Sequence, residues 1–274
     1  MDRPALVLAL TLALCAMAFG GVMNAAAADS NLQRAGWGEL RGKLFGERSI
    51  SEGSGQVIQL EVPLRPDNAA TVPISVRSVI TQSPDRYVKL IFIVVDNNPE
   101  PLVAALTLTP ESGLADLATN IRVEAHSPVR AIAEMNTGEL FMSSKLVKAA
   151  GGCAAVSGEV SASPSPDLGQ ILIRTQNGSD LGRPNWMRLI ITHPNHTGLQ
   201  VDPVKGDPIP AHFVKNITVS YGERTILKAE TGISISEDPS FRFFYIPRGP
   251  GVIKVEIKDS TGLTFTKSLE ITPN

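Results

Sequence analysis

Ile58-Gln59-Leu60-Glu61-Val62 alternates apolar and polar side chains, and Val72, Ile74 and Val76 resume the same period of two after a polar break. Successive side chains of an extended chain point to opposite faces, so this period marks strands with one buried and one solvated face. Outward from that stretch the pattern continues. Val88–Val95 is apolar enough for a central strand, and Leu102–Leu108, Ile121–Ala125, Val129–Met135 and Glu139–Met142 follow. Asn97-Asn98-Pro99, Pro110-Glu111-Ser112-Gly113, Ser127-Pro128 and Asn136-Thr137-Gly138 separate them as turns. On the N-terminal side, beyond Gly53-Ser54-Gly55, the period changes. Trp37, Leu40, Leu44 and Phe45, with Glu39, Arg41, Lys43 and Glu47 between, read as one amphipathic helix.

From Gly151 to about Asp167 the composition shifts to Gly, Ala, Ser and Pro, including Ser163-Pro164 and Ser165-Pro166. Such a stretch has little apolar surface to bury and reads as a linker. Strands resume at Ile171–Arg174, Met187–Ile191, Val214–Tyr221, Thr225–Ala229, Phe241–Ile246, Val252–Lys258 and Phe265–Ile271. Strand runs on both sides of one linker, with no long crossover helix between them, predict an all-β protein: two immunoglobulin-like β-sandwich domains and a short N-terminal helix. The expected segments are 1–28, 29–156, a linker at 157–167 and 168–274.

The first of these has the marks of an export signal. A single Arg3 precedes the apolar run Ala5–Phe19, and Ala26-x-Ala28 before Asp29 fits small-residue cleavage. The competing reading is a retained membrane anchor. No later segment has the apolar length of a membrane helix, so the expected product is soluble and exported, with no membrane association after processing. The 274 residues are 43 % hydrophobic and 19 % charged, as in a globular protein. With 25 basic and 27 acidic residues, the balance excludes a generally basic nucleic-acid-binding surface.

Of the 2 cysteines, Cys15 lies in the export signal and Cys153 stands alone. A lone thiol cannot form an internal disulfide, and in an oxidising compartment its retention is either accidental or functional. Cys153 sits in Lys145-Leu-Val-Lys148-Ala-Ala-Gly151-Gly152-Cys153-Ala154-Ala155. Gly151, Gly152, Ala154 and Ala155 would make a slim, pliable arm able to enter a narrow cleft. Lys145 and Lys148 would weakly favour a thiolate, with no acid following until Glu159. The plainer alternative is an inert, half-buried cysteine at a domain junction.

The rest of the inventory is thin. His193-Pro-Asn-His196 is the close histidine pair, and with a proline between and no cysteine nearby it reads as a turn in preference to a metal site. Asn177, Asn195 and Asn216 head glycosylation-type triplets, which arise often by chance. Glu124, Glu134 and Asp202 read as solvated acids. There is no phosphate-binding glycine loop and no Gly-x-Ser-x-Gly elbow, and no cofactor or metal is expected. A thiol peroxidase would need a resolving cysteine or a base beside the thiol.

The chain resembles the sulfur-compound carriers of the bacterial Sox thiosulfate-oxidation system, in the fused SoxY–SoxZ form associated with quinoprotein dehydrogenases. The first half resembles SoxY in Asn98-Pro99-Glu100-Pro101-Leu102, Asn120-Ile121-Arg122 and Gly151-Gly152-Cys153. The second resembles SoxZ in Ile190–His193, Gly198-Leu199, Asp207-Pro208-Ile209-Pro210-Ala211-His212-Phe213, Ser234-Ile235-Ser236-Glu237-Asp238-Pro239-Ser240-Phe241 and Lys258-Asp259-Ser260-Thr261-Gly262. The resemblance implies that Cys153 carries sulfur intermediates as a covalent adduct and presents them to separate oxidising and hydrolysing enzymes, itself catalysing nothing. It implies a scaffold and partner surface in the second half, with sulfur-oxidising, quinoprotein or cytochrome enzymes as partners. Two departures stand out. The family's arm ends in Gly-Gly-Cys-Gly-Gly at a free carboxyl terminus, whereas here Ala154 and Ala155 follow the cysteine and the chain runs on. The remaining alternative is a non-covalent binding or assembly module for a periplasmic dehydrogenase or cytochrome.

Overall fold

The computed structural model describes residues 36–52, 55, 57–156, 165–176 and 179–273. The expected export signal, and most of the expected linker, lie outside the described residues. A helix, α1, spans 36–45. Fifteen strands follow: β1 (Ile50–Glu52), β2 (Ile58–Glu61), β3 (Val72–Ser78), β4 (Val88–Val95), β5 (Leu102–Leu108), β6 (Asp116–Ile121), β7 (Ser127–Met135), β8 (Leu140–Val147), β9 (Ile171–Thr175), β10 (Asn185–Ile191), β11 (Val214–Tyr221), β12 (Arg224–Thr231), β13 (Ser240–Tyr245), β14 (Gly251–Asp259) and β15 (Thr264–Ile271).

They form two sheets. One has nine strands in the order β1-β8-β7-β4-β5-β12-β11-β14-β15, the other six in the order β2-β3-β6-β13-β10-β9. β1 runs parallel to β8, and the remaining pairs are antiparallel. The first half thus supplies β1–β8 and the second β9–β15, each a two-layer sandwich of the immunoglobulin-like kind.

Both sheets cross from one half to the other. β5 pairs with β12 from Leu108↔Leu227 to Ala104↔Thr231, and β6 meets β13 at Ala118↔Arg242. One apolar core accordingly draws Val72, Ile93 and Ile121 from the first half and Met187, Phe241 and Val255 from the second. β4, largely buried, sits between β7 and β5, as its continuous apolar run requires.

Against the outer face of the nine-stranded sheet, α1 lays Trp37, Leu40, Leu44 and Phe45 over Phe92, Val94, Ile132 and Met142. The Phe45 and Phe92 rings meet edge to face, with centroids 5.1 Å apart. Arg130 stacks at 4.7 Å over Trp37 and forks onto the buried Asp96 carboxylate through three contacts of 2.8–3.1 Å, which ties helix to sheet. Among the described residues, no helix is long and apolar enough to cross a membrane.

Candidate functional site

β6 ends at Ile121, and the next three residues run along the seam between the halves. The Arg122 N–H donates to the Ser234 carbonyl at 2.7 Å, and the Val123 N–H to the Ala69 carbonyl at 2.9 Å. Asn98, in the turn after β4, locks this stretch. Its amide donates to the Arg122 carbonyl at 2.8 Å and to Ser234 Oγ at 2.9 Å, while its Oδ1 accepts the Glu124 N–H at 2.9 Å.

The segment 151–155, which leaves β8 through Lys148, folds back onto that seam. Backbone bonds join Gly151 N–H to the Glu124 carbonyl at 2.7 Å, Gly152 N–H to the Val123 carbonyl at 3.1 Å and Ala155 N–H to the Gly151 carbonyl at 3.0 Å. The Glu124 carboxylate accepts the N–H groups of Cys153 (2.8 Å) and Ala154 (3.3 Å) through a single oxygen, Oε2. Arg122 Nη1 donates to the Gly152 carbonyl at 3.1 Å and the Ala155 carbonyl at 3.4 Å. From the second half, Thr197 Oγ1 donates to the Cys153 carbonyl at 2.7 Å and Gln200 Nε2 to the Ala155 carbonyl at 2.8 Å. The segment is therefore clasped by both halves.

Cys153 is fully buried there, at 0 % exposure. Burial first, and the Glu124 carboxylate second, push its thiol up to about 11, with Glu100 adding to the rise; a hydrogen bond with Ser234 and the Arg122 charge oppose it only in part. This corrects the expectation of an exposed thiol favoured as thiolate. Lys145 and Lys148 point into solvent, while an acid from elsewhere in the fold sits beside the sulfur.

The glycines differ in what they do. Gly151 has φ +77° with open space where a Cβ would stand, so it supplies a left-handed turn. At Gly152 a Cβ would lie 2.1 Å from the Ala69 carbonyl oxygen and 2.7 Å from that of Val123, so the absent side chain permits docking. In this conformation the slender segment fits the protein's own seam. Ala154 lies exposed at its tip, and Ala155 is half-buried.

Sequence reasoning did not assign Arg122, Glu124, Thr197, Gln200 or Ser234 to the site. Glu124 in particular is no solvated surface acid, because it holds two backbone N–H groups. Arg122 is 1 % exposed, and its charge is disfavoured by burial. A buried arginine read from a strand end is the one signal that could have marked the seam. Glu134, by contrast, pairs with Arg48 at 3.3 Å on the surface.

The histidine pair also resolves differently. His193 gathers with His212 and Asp259, their ligand-type atoms all within 4.8 Å. His212 Nε2 meets Asp259 Oδ2 at 2.8 Å, and His193 Nε2 lies 3.8 Å from the same oxygen. His193 Nδ1 accepts the Asn195 N–H at 3.1 Å, so in the neutral ring the proton sits on Nε2, the nitrogen facing Asp259. A nitrogen that carries a proton offers no lone pair to a cation, and the cluster fits a hydrogen-bonded clamp better than a metal site. Asn195 is buried and bonds the Val214 N–H and the Ile235 carbonyl, which removes it as a glycosylation acceptor in the folded chain. The loop 193–200 that carries Thr197 and Gln200 is thereby fixed to β11 and to the end of β14.

The profile of the family described as "Sulfur oxidation protein SoxY" matches residues 41–153, and that of "Sulphur oxidation protein SoxZ" matches residues 173–270. No curated protein sequence matches the chain. Among solved structures, the sulfur carrier protein SoxY from Chlorobium limicola f thiosulfatophilum is similar over 45 % of this chain and 99 % of its own, at 20 % identity and a TM-score of 0.38. The superoxide reductase (neelaredoxin) from Ignicoccus hospitalis is similar over 36 % of this chain and 94 % of its own, at 11 % identity and a TM-score of 0.32.

Proposed function

Since the chain belongs to the SoxY and SoxZ sulfur-oxidation families, fused in one polypeptide, we propose that it is a periplasmic carrier that holds a sulfur intermediate covalently on Cys153 and presents it to partner enzymes. A sulfur-oxidation carrier role is what the two families carry. The observation that supports Cys153 as the attachment point is its position: the SoxY match ends on it, and it lies on a slim segment clasped by both halves.

Loading a sulfur species on a thiol replaces S–H by S–S, which releases one proton and two electrons; a partner oxidising enzyme takes the electrons. The docked thiol is buried and held neutral, so loading requires 151–155 to leave the seam. Apart from the thiol's hydrogen bond with Ser234, the segment is held through its backbone, so most of the clasp does not depend on the sulfur and can reform after unloading. Sulfur-oxidising, quinoprotein or cytochrome enzymes of the same compartment are the partners this reading calls for.

The burial of Cys153 favours a second reading, a non-covalent assembly module in which the thiol is structural. Cys153→Ser separates the two. As a carrier the variant folds and loses all thiosulfate-dependent electron transfer in a reconstituted pathway, whereas as an assembly module it keeps that activity. Its stability cost should be about 1 kcal/mol, larger than for an exposed residue because the sulfur is buried.

A further inference from the structure

Strands β9, β10 and β13 turn Ile171, Met187, Leu189, Phe241 and Phe243 into the core, so their alternate residues face outward. On that outer face Arg188 stands directly opposite Arg174 on one neighbouring strand and Arg242 on the other. Like charges opposed across a sheet repel, and a row of three is a cost the fold does not need. Arg242 is partly offset by Asp116 at 2.8 Å, an acid that also lies 3.6 Å from Arg77. Arg174 and Arg188 form no ion pair among the described residues. Two residues along the strands, on the same face, Trp186 stands opposite Phe244, whose ring also lies 5.6 Å from the Arg242 guanidinium. These five side chains line a cavity of about 340 Å³.

We propose that this cavity, formed by residues other than those of the Cys153 seam, binds a small organic anion, its oxygen-rich head held by the arginine row and its planar apolar body set against Trp186 and Phe244. Guanidinium forks match sulfonate, carboxylate or phosphate heads through paired hydrogen bonds, and the bound charge removes the repulsion within the row. The aromatic walls and a volume in the range of small-molecule sites call for more than a bare inorganic oxoanion. Sulfonate, carboxylate and phosphate compounds share this chemistry.

With Trp37→Phe as background, Trp186 becomes the sole tryptophan and reports occupancy by its fluorescence. Titration with benzenesulfonate should saturate, with affinity several-fold above that for inorganic sulfate. Arg188→Gln should weaken benzenesulfonate binding about tenfold or more, the loss expected for charge-assisted hydrogen bonds. Phe244→Ala should abolish the preference over sulfate. Calorimetry on the unaltered chain repeats the benzenesulfonate and sulfate titrations without reliance on the Trp37 variant. Absence of saturation, or equal affinity in Arg188→Gln, overturns the proposal. Tighter binding of an octaglutamate peptide than of benzenesulfonate also overturns it, in favour of an acidic protein surface as the occupant.

Discussion

Glu124 holds the Cys153 segment with one carboxylate oxygen and, with the same charge, keeps the thiol protonated. Glu124→Gln retains an acceptor for the N–H groups but removes the charge that strengthens those bonds and opposes ionisation, so Cys153 becomes more acidic, the segment leaves the seam more often, and the thiol reacts severalfold faster with iodoacetamide at pH 8. Gly152→Ala acts sterically, because the added methyl meets the Ala69 backbone 2.1 Å away. It should expel the segment and likewise speed alkylation, while thermal unfolding stays within a few degrees of wild type. Alkylation rates in both variants equal to wild type would show that the docked state does not govern the thiol.

At the level of elements, the period-two runs placed nearly every strand, since an outward polar residue alternates with a buried apolar one along most of them. Two exceptions have physical reasons. β6 begins at Asp116, five residues before the expected Ile121, because its inward positions include Thr119 and its outward ones Asp116 and Asn120, so the apolar signal is diluted. β1 is a three-residue parallel partner of β8, too short to show a period. The helix was legible from its apolar stripe. The seam was not, because the hydrogen bonds that Asn98, Glu124 and Thr197 make along it join residues 24 to 136 positions apart, and no local pattern encodes them. The loop 193–200 that completes the seam has an acid-sensitive anchor. Burial, aided by His212, lowers His193 to about 4 against the partial opposition of Asp259. Its neutral form is the one the fold prefers, so its contribution is complete above about pH 6.5 and is lost as pH falls towards 4, up to about 3 kcal/mol. Urea unfolding at pH 7 and pH 4.5 should show this loss, and His193→Gln should show a smaller one. An equal loss in both proteins would assign the acid sensitivity elsewhere.

Across the whole molecule, the pairing of β5 with β12 and of β6 with β13 makes one continuous two-layer body from a SoxY half and a SoxZ half. The composition of 157–167 led to the expectation of a boundary there, but nothing in it announced that the strands on its two sides would join in common sheets. A protease cut confined to that segment should leave a nicked protein that still runs as one species on gel filtration and unfolds in a single transition, because the joining strands are buried and hydrogen-bonded. Separation of the pieces under native conditions would mean that the shared core does not hold them. The same continuity places the Cys153 segment between residues of both halves, so under the proposed carrier function loading, docking and release would involve the whole chain. The most direct test of that account is the intact mass of the protein purified from cells oxidising thiosulfate, measured before and after reductant. The carrier reading predicts added mass on the Cys153 peptide that reductant removes; an unmodified Cys153 throughout active turnover would contradict it.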